Sequence, residues 1–165
     1  MKAVYTGTFD PITNGHLDII ERASRMFDEV TVLIMRNPNK KCVYTAHERK
    51  AMIEKSLASI EGANNVTVLI GEGLTVEMAH KLGAVAIIRG IRAVSDYEYE
   101  LKQATANMKL NPGIETMLMI ARPEYSFLSS SVVKEIAAYG GNIDGMVPDA
   151  IVEEVREKLT GDQGQ

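Results

Sequence analysis

The chain has 165 residues, 45% of them apolar and 24% charged, with a formal net charge of −4. That length suits one domain with its own core, and the balance is that of neither a disordered chain nor a membrane protein. A negative total argues against non-specific binding of nucleic acid, which needs a broad basic surface, so any anion must be met by a local cluster of cations.

Short β-branched runs alternate with longer segments of helical spacing, the pattern of an α/β fold with a parallel sheet. A first strand is expected at residues 2–5, then a polar turn and a helix opening at Asn14 or Gly15, whose Ile19, Ile20, Ala23, Met26 and Phe27 form one apolar face. Residues 30–35 read as a second strand. The polar loop over residues 36–42 ends at Cys42, the single cysteine, which has no intrachain partner and no zinc-like spacing and reads as a small hydrophobe. Thr45 stands three residues before Glu48, a capping box for a helix reaching Ile60. A third strand is expected at residues 66–70, a turn at Gly71 and Gly73, and a helix at residues 76–82. The continuous apolar run at residues 85–88 suits a buried parallel strand, ending at Arg89 and Gly90.

A long helix over residues 96–109 stops before Asn111, Pro112 and Gly113, and residues 116–120 give a fifth strand. Residues 130–139 form a helix closed by Gly140 and Gly141, and Pro148 at a first-turn position starts a last helix through Leu159. The sum is one doubly wound, Rossmann-like α/β domain over residues 1–160 with a five-stranded parallel sheet, and a frayed tail at residues 161–165. No apolar run approaches the roughly 18 residues of a membrane span, and the N-terminus lacks a signal-peptide pattern, so a cytoplasmic protein engaging neither membrane nor nucleic acid is expected.

Three segments carry polar chemistry where such a sheet places its ligands. After the first strand come Gly7, Thr8, Phe9, Asp10 and Pro11, then Thr13, Asn14, Gly15 and His16 at a helix start. Glycines let backbone approach a phosphate, a threonine hydroxyl can donate to it, and a helix N-terminus adds free N–H groups. After the fourth strand, Arg89 and Arg92 flank Gly90 and Ile91, and planar guanidinium groups grip phosphate bidentately. After the fifth stand Tyr125, Ser126, Phe127, Leu128, Ser129, Ser130 and Ser131, more hydroxyls than one helix cap needs. Taken singly these residues read as turn formers, a surface arginine pair serving Asp96 and Glu98, and N-caps. Right-handed crossovers bring all three segments to one edge of the sheet.

In this order the motifs resemble the nucleotidyltransferase superfamily, whose signature joins a Gly-Thr-Phe-Asp-Pro loop to His/Thr-x-Gly-His. With Thr13 in the first position of the second element, the chain is similar to the phosphopantetheine adenylyltransferase family; relatives acting on nicotinate mononucleotide or making CDP-alcohols usually carry His. The run over residues 88–100 and the serine run match the same family, and the likeness extends from Tyr5 to about Leu159. The chain departs from the pattern at Thr6, where many members have Pro, at Ala106 before Asn107, where Met is common, and carries Val132, Val133 and Lys134 where mononucleotide relatives place an Arg.

The resemblance implies transfer of the adenylyl group of ATP to 4′-phosphopantetheine, giving dephospho-coenzyme A and pyrophosphate in coenzyme A biosynthesis. The acceptor phosphate attacks in line, with no covalent enzyme intermediate. His16, Lys40 and Arg92 are the implied catalytic residues. ATP would be met by Thr8, Phe9, His16, Gly90, Ile91, Arg92, Glu100 and residues 125–131, and the acceptor by Thr8, Lys40, Leu74, Thr75, Arg89 and Asn107. Mg²⁺ would arrive with ATP, with no protein ligand assigned to it, and the chain would assemble as a homo-oligomer, a hexamer in relatives. Two rivals stand beside this reading: the same chemistry on another acceptor with ATP or CTP, and a flavodoxin-like nucleotide sensor without turnover.

Overall fold

The β-branched and small apolar runs pair into one fully parallel sheet of five strands in the order β3-β2-β1-β4-β5. The computed structural model describes residues 1–161. The chain runs through β1 (Lys2–Gly7), α1 (Asn14–Met26), β2 (Glu29–Met35), α2 (Ala46–Leu57), β3 (Val66–Gly71), α3 (Thr75–Lys81), β4 (Ala86–Ile91), α4 (Val94–Leu110), β5 (Glu115–Ile120), α5 (Ser130–Ala138) and α6 (Val152–Gly161). From β1 it builds outward to β3, then returns to β1's other side for β4 and β5, so the winding reverses between β1 and β4. Ligands in open α/β sheets bind at that reversal, beyond the carboxyl ends of the strands.

Alternation along the strands sends side chains to two unequal layers. Ala3, Tyr5, Val30, Val32, Ile34, Val68 and Ile88 bury against α1, α2, α5 and α6 through Ile19, Ile20, Met52, Ile53, Val133 and Val155. On the other face Val4 and Ile87 meet Val76 and Ala79 of α3 in a smaller cluster. Helix α4 closes that face yet buries only Glu100 among its 17 residues.

Several boundaries differ from the sequence reading. Strand β4 does not end at Arg89 and Gly90 but continues to Ile91, because β5 pairs with it from Ala86↔Glu115 to Ile91↔Ile120. Its pairing with β1 stops at Tyr5↔Ile88. The last turns of β1 and β4 therefore part, and a crevice opens between them. Helix α2 stops at Leu57, after which the Ser59 hydroxyl donates to the Ser56 carbonyl in a tightening turn. Pro148 precedes a 3₁₀ turn at Asp149–Ile151 instead of entering α6 directly. Helix α6 extends through Gly161, the first residue of the expected tail; residues 162–165 lie outside the described residues.

Candidate active site

The crevice is floored by the loop between β1 and α1. An added Cβ on Gly7 would meet the Phe9 ring at 3.0 Å and force it to give way, so this close approach favours glycine. Phe9 takes a positive φ of 51° and lies only 2% exposed, with its ring edge-on to Tyr5 and, at 5.0 Å, to His16. Its ring thus packs beneath the site, and Phe9 is among the residues that line the cavity.

His16 is held by the cap of its own helix. Thr13 is the N-cap, its hydroxyl accepting from the His16 amide, while the Thr13 amide donates to His16 Nδ1 at 3.0 Å. A nitrogen that accepts carries no proton, so the neutral ring bears its hydrogen on Nε2. Desolvation, then the positive charges of Arg92 and Arg89, lower the His16 pKa to about 4. At neutral pH it is an uncharged donor in a fixed tautomer.

The two arginines are anchored differently. Arg89 grips Glu100 through Nε and Nη2 at 2.9 and 2.7 Å and reaches across the parted strands to the carbonyl and hydroxyl of Thr6. Burial works against its charge, but the hydrogen bonds and charge of Glu100 outweigh that and raise its pKa. Glu100, only 5% exposed, is thus committed to Arg89 and is the partner, where the sequence offered Glu98. Arg92 donates to the Leu128 carbonyl at 2.6 Å and pairs with Asp96, tying the end of β4 to the serine loop.

That serine loop divides its hydroxyls. Ser129 caps α5 by accepting from the Val132 amide, and Ser130 donates to the Pro11 carbonyl at 2.7 Å. The helix N-terminus itself, with its unpaired amides, remains for an anion. Ser126 turns back onto the Pro123 carbonyl, Phe127 is 58% exposed and Ser131 sits on the outer turn of α5. Those three lie outside the cavity wall, unlike Tyr125, Leu128, Ser129 and Ser130.

Two cavities result. The first, about 370 Å³, brings Thr8, His16, Gly90, Ile91, Arg92 and Ser130 together. The second, about 590 Å³, holds Lys40, Leu74, Thr75 and Asn107. Thr8, Arg89 and Glu100 line both. Lys40 Nζ stands 3.5 Å from the Thr8 hydroxyl at their junction.

Sequence reasoning gave no role to four residues that line or support the site. Tyr99 and Gln103, on α4, line the second cavity. Asp10 accepts from the Val43 and Tyr44 amides and from Lys134, and buried Arg49 donates to the Thr8 carbonyl. Their partners lie more than thirty residues away along the chain, beyond any local pattern.

Residues 4–136 match the cytidylyltransferase-like family. A phosphopantetheine adenylyltransferase of Finegoldia magna is 48% identical over 158 residues, covering 96% of both chains. One of Dictyoglomus thermophilum is 49% identical over 159 residues, covering 96% of this chain and 95% of its own. Among solved structures, a Plasmodium falciparum nicotinic acid mononucleotide adenylyltransferase complexed with NaAD superposes with a TM-score of 0.70 at 15% identity, over 99% of this chain and 96% of that one, a likeness of fold. Fold and site define a nucleotidyltransferase, an enzyme of the cytidylyltransferase-like family. Within it, the chain belongs to the phosphopantetheine adenylyltransferase family.

Proposed function

We propose that the chain transfers the adenylyl group of ATP to the phosphate of 4′-phosphopantetheine, releasing pyrophosphate and forming dephospho-coenzyme A, by in-line attack without a covalent enzyme intermediate. The observation that carries this reading is a neutral, tautomer-fixed His16 in the cavity where Thr8, Arg92 and Ser130 converge. A phosphate monoester has a second pKa of about 6, so the nucleophile is already largely dianionic and needs no base. The task left to the protein is to align two anions and stabilise charge on the α-phosphate as pyrophosphate departs.

In this reading ATP occupies the first cavity and the acceptor the second, so that the reacting phosphates meet at Thr8. His16 donates Nε2–H to the α-phosphate, Lys40 bridges donor and acceptor phosphates, and Arg92 with the α5 N-terminus holds the β- and γ-phosphates. Arg89, still tied to Glu100, presents its charge to the acceptor phosphate, and Leu74, Thr75 and Asn107 flank the pantetheine arm. Mg²⁺ would arrive as the companion of ATP. Among the described residues no group of three or more His, Cys, Asp or Glu could hold a metal, and Asp96 and Glu100 are engaged by arginines. When bound it neutralises phosphate oxygens, and the triphosphate would provide most of its ligands.

Assembly into a homohexamer through the uncovered face of α4 belongs to the same proposal, as does a cytoplasmic place of work, where ATP and the acceptor are found. Incubation with ATP, Mg²⁺ and 4′-phosphopantetheine is expected to yield dephospho-coenzyme A by mass spectrometry. Faster pyrophosphate release with nicotinate mononucleotide, or with CTP and an alcohol phosphate, would reject the acceptor; ATP binding without any release would reject the enzyme.

A further inference from the structure

Arg49 is a cation placed where a cation is expensive. It is 5% exposed, and every hydrogen bond it makes among the described residues ends on a main-chain carbonyl: Thr8 at 2.7 Å, Tyr44 at 3.2 Å and Thr45 at 3.3 Å. A guanidinium has five fixed donors and keeps its charge, so burial against carbonyls alone is costly unless the geometry it enforces is needed. The Thr8 loop answers with an anion. Asp10, 3% exposed, accepts from the Val43 and Tyr44 amides at 2.9 Å each, and from Lys134 of α5 at 3.2 Å.

The two links are reciprocal. Asp10 reaches from the first loop to the segment over residues 43–45, and Arg49 reaches from the helix after that segment back to the first loop. Residues 43–45 end the long loop that carries Lys40, whose ammonium stands 3.5 Å from the Thr8 hydroxyl. Lys40 is itself an exposed side chain on an exposed loop, so its own contacts do little to hold it.

We propose that Arg49 is a positioning residue for adenylyl transfer, clamping the loop of Thr8 to the loop of Lys40 so that both meet the reacting phosphates at a fixed separation. The proposal rests on the functional reading above in giving Lys40 a phosphate to bridge. A misplacement of about 1 Å in such a group costs on the order of 10²-fold in rate, which sets the scale of the effect.

The test is a double-mutant cycle of Arg49→Gln with Lys40→Ala, read by kcat, by the KM for each substrate and by ATP affinity measured calorimetrically. Arg49→Gln in the wild-type background is expected to lower kcat about 10- to 100-fold while ATP affinity changes less than about 3-fold. In the Lys40→Ala background the same change is expected to cost less than about 3-fold, because the group it positions is gone. Equal factors in the two backgrounds, or loss of ATP binding in step with rate, overturn the clamp. Arg49→Lys, which retains the charge but not the planar fork of donors, gives a smaller loss and serves as the probe if Arg49→Gln does not fold. Amide hydrogen exchange at Val43 and Tyr44 is independent of turnover and is expected to quicken about 10-fold in either Arg49 variant; unchanged exchange counts against the clamp. If the wild-type protein forms no product with any acceptor, the functional reading falls by itself, and the exchange result alone upholds or overturns the clamp.

Discussion

At the scale of single residues, the imidazole of His16 concentrates the argument. It accepts from the Thr13 amide, so it can donate only through Nε2, and burial first, then the charges of Arg92 and Arg89, lower its pKa to about 4. A donor aimed at charge that grows in the transition state contributes to the chemical step more than to ground-state binding. His16→Ala is therefore expected to lower kcat by about 10²-fold or more, with a much smaller change in ATP affinity. Equal losses in single-turnover rate and in ATP binding would assign His16 to ground-state binding. The lowered pKa has a consequence for stability as well. Between pH about 6.5 and about 4 the unfolded chain takes up a proton at this histidine that the folded chain refuses. Its contribution to stability is thus intact above the ordinary histidine pKa and is lost as pH falls through that window. Imidazole ¹⁵N shifts of the ligand-free protein are expected to show His16 neutral at pH 6, and a midpoint near 6.5 would refute the electrostatic account.

At the scale of elements, the helix cap of α1 is also the mount of its first-turn histidine. Thr13 accepts from the His16 amide, and its own amide holds Nδ1. Thr13→Val removes the hydroxyl while leaving the amide, so it is expected to cost about 1 kcal/mol of unfolding free energy, the usual worth of an N-cap. A several-fold fall in kcat with little change in the KM for ATP is expected beside it, and Thr13→Ser restores both. Denaturant titration with steady-state kinetics checks this; a stability loss without a kcat change would make the cap purely architectural. Elements built on local signals were legible in the sequence: the five β-branched runs all became strands, and the Thr45–Glu48 capping box opens α2 as spacing implied. What local signals did not carry was tertiary. Strand β4 outran its apolar stretch because β5 continued to pair with Arg89, Gly90 and Ile91, whatever their polarity. In the same way the motifs named Arg89 and Glu100 separately, while folding joins them in one pair with Glu100 buried and Arg89 half-buried. Asp10 stood within the first motif and Arg49 in none, and neither pointed to the clamp, since main-chain groups of distant residues define it.

At the scale of the whole molecule, the two faces of the sheet are unequally covered, and this asymmetry supports the proposed assembly. Helix α4 buries a single residue of its seventeen, yet Val94, Tyr97, Leu101 and Met108 are each at least 44% exposed. Their three-, four- and seven-residue steps put them along one stripe of the helix, beside the face that Gln103 and Asn107 turn to the second cavity. In the proposed assembly such a stripe would be covered by a second copy, and a closed ring of identical copies would cover it without leaving an open edge. Light scattering in solution is expected to give a mass about six times that of the chain. Leu101→Glu combined with Met108→Glu places charge on side chains that are exposed in the isolated chain, so secondary structure is expected to persist while the mass falls. The adjacency of stripe and cavity sets a second readout. Dissociation is expected to raise the KM for the acceptor several-fold through α4, and to leave ATP affinity at the far side of Thr8 nearly unchanged. A mass that stays monomeric in the wild type, or a double variant that keeps its assembly, would mean that α4 is covered by something other than its own copies.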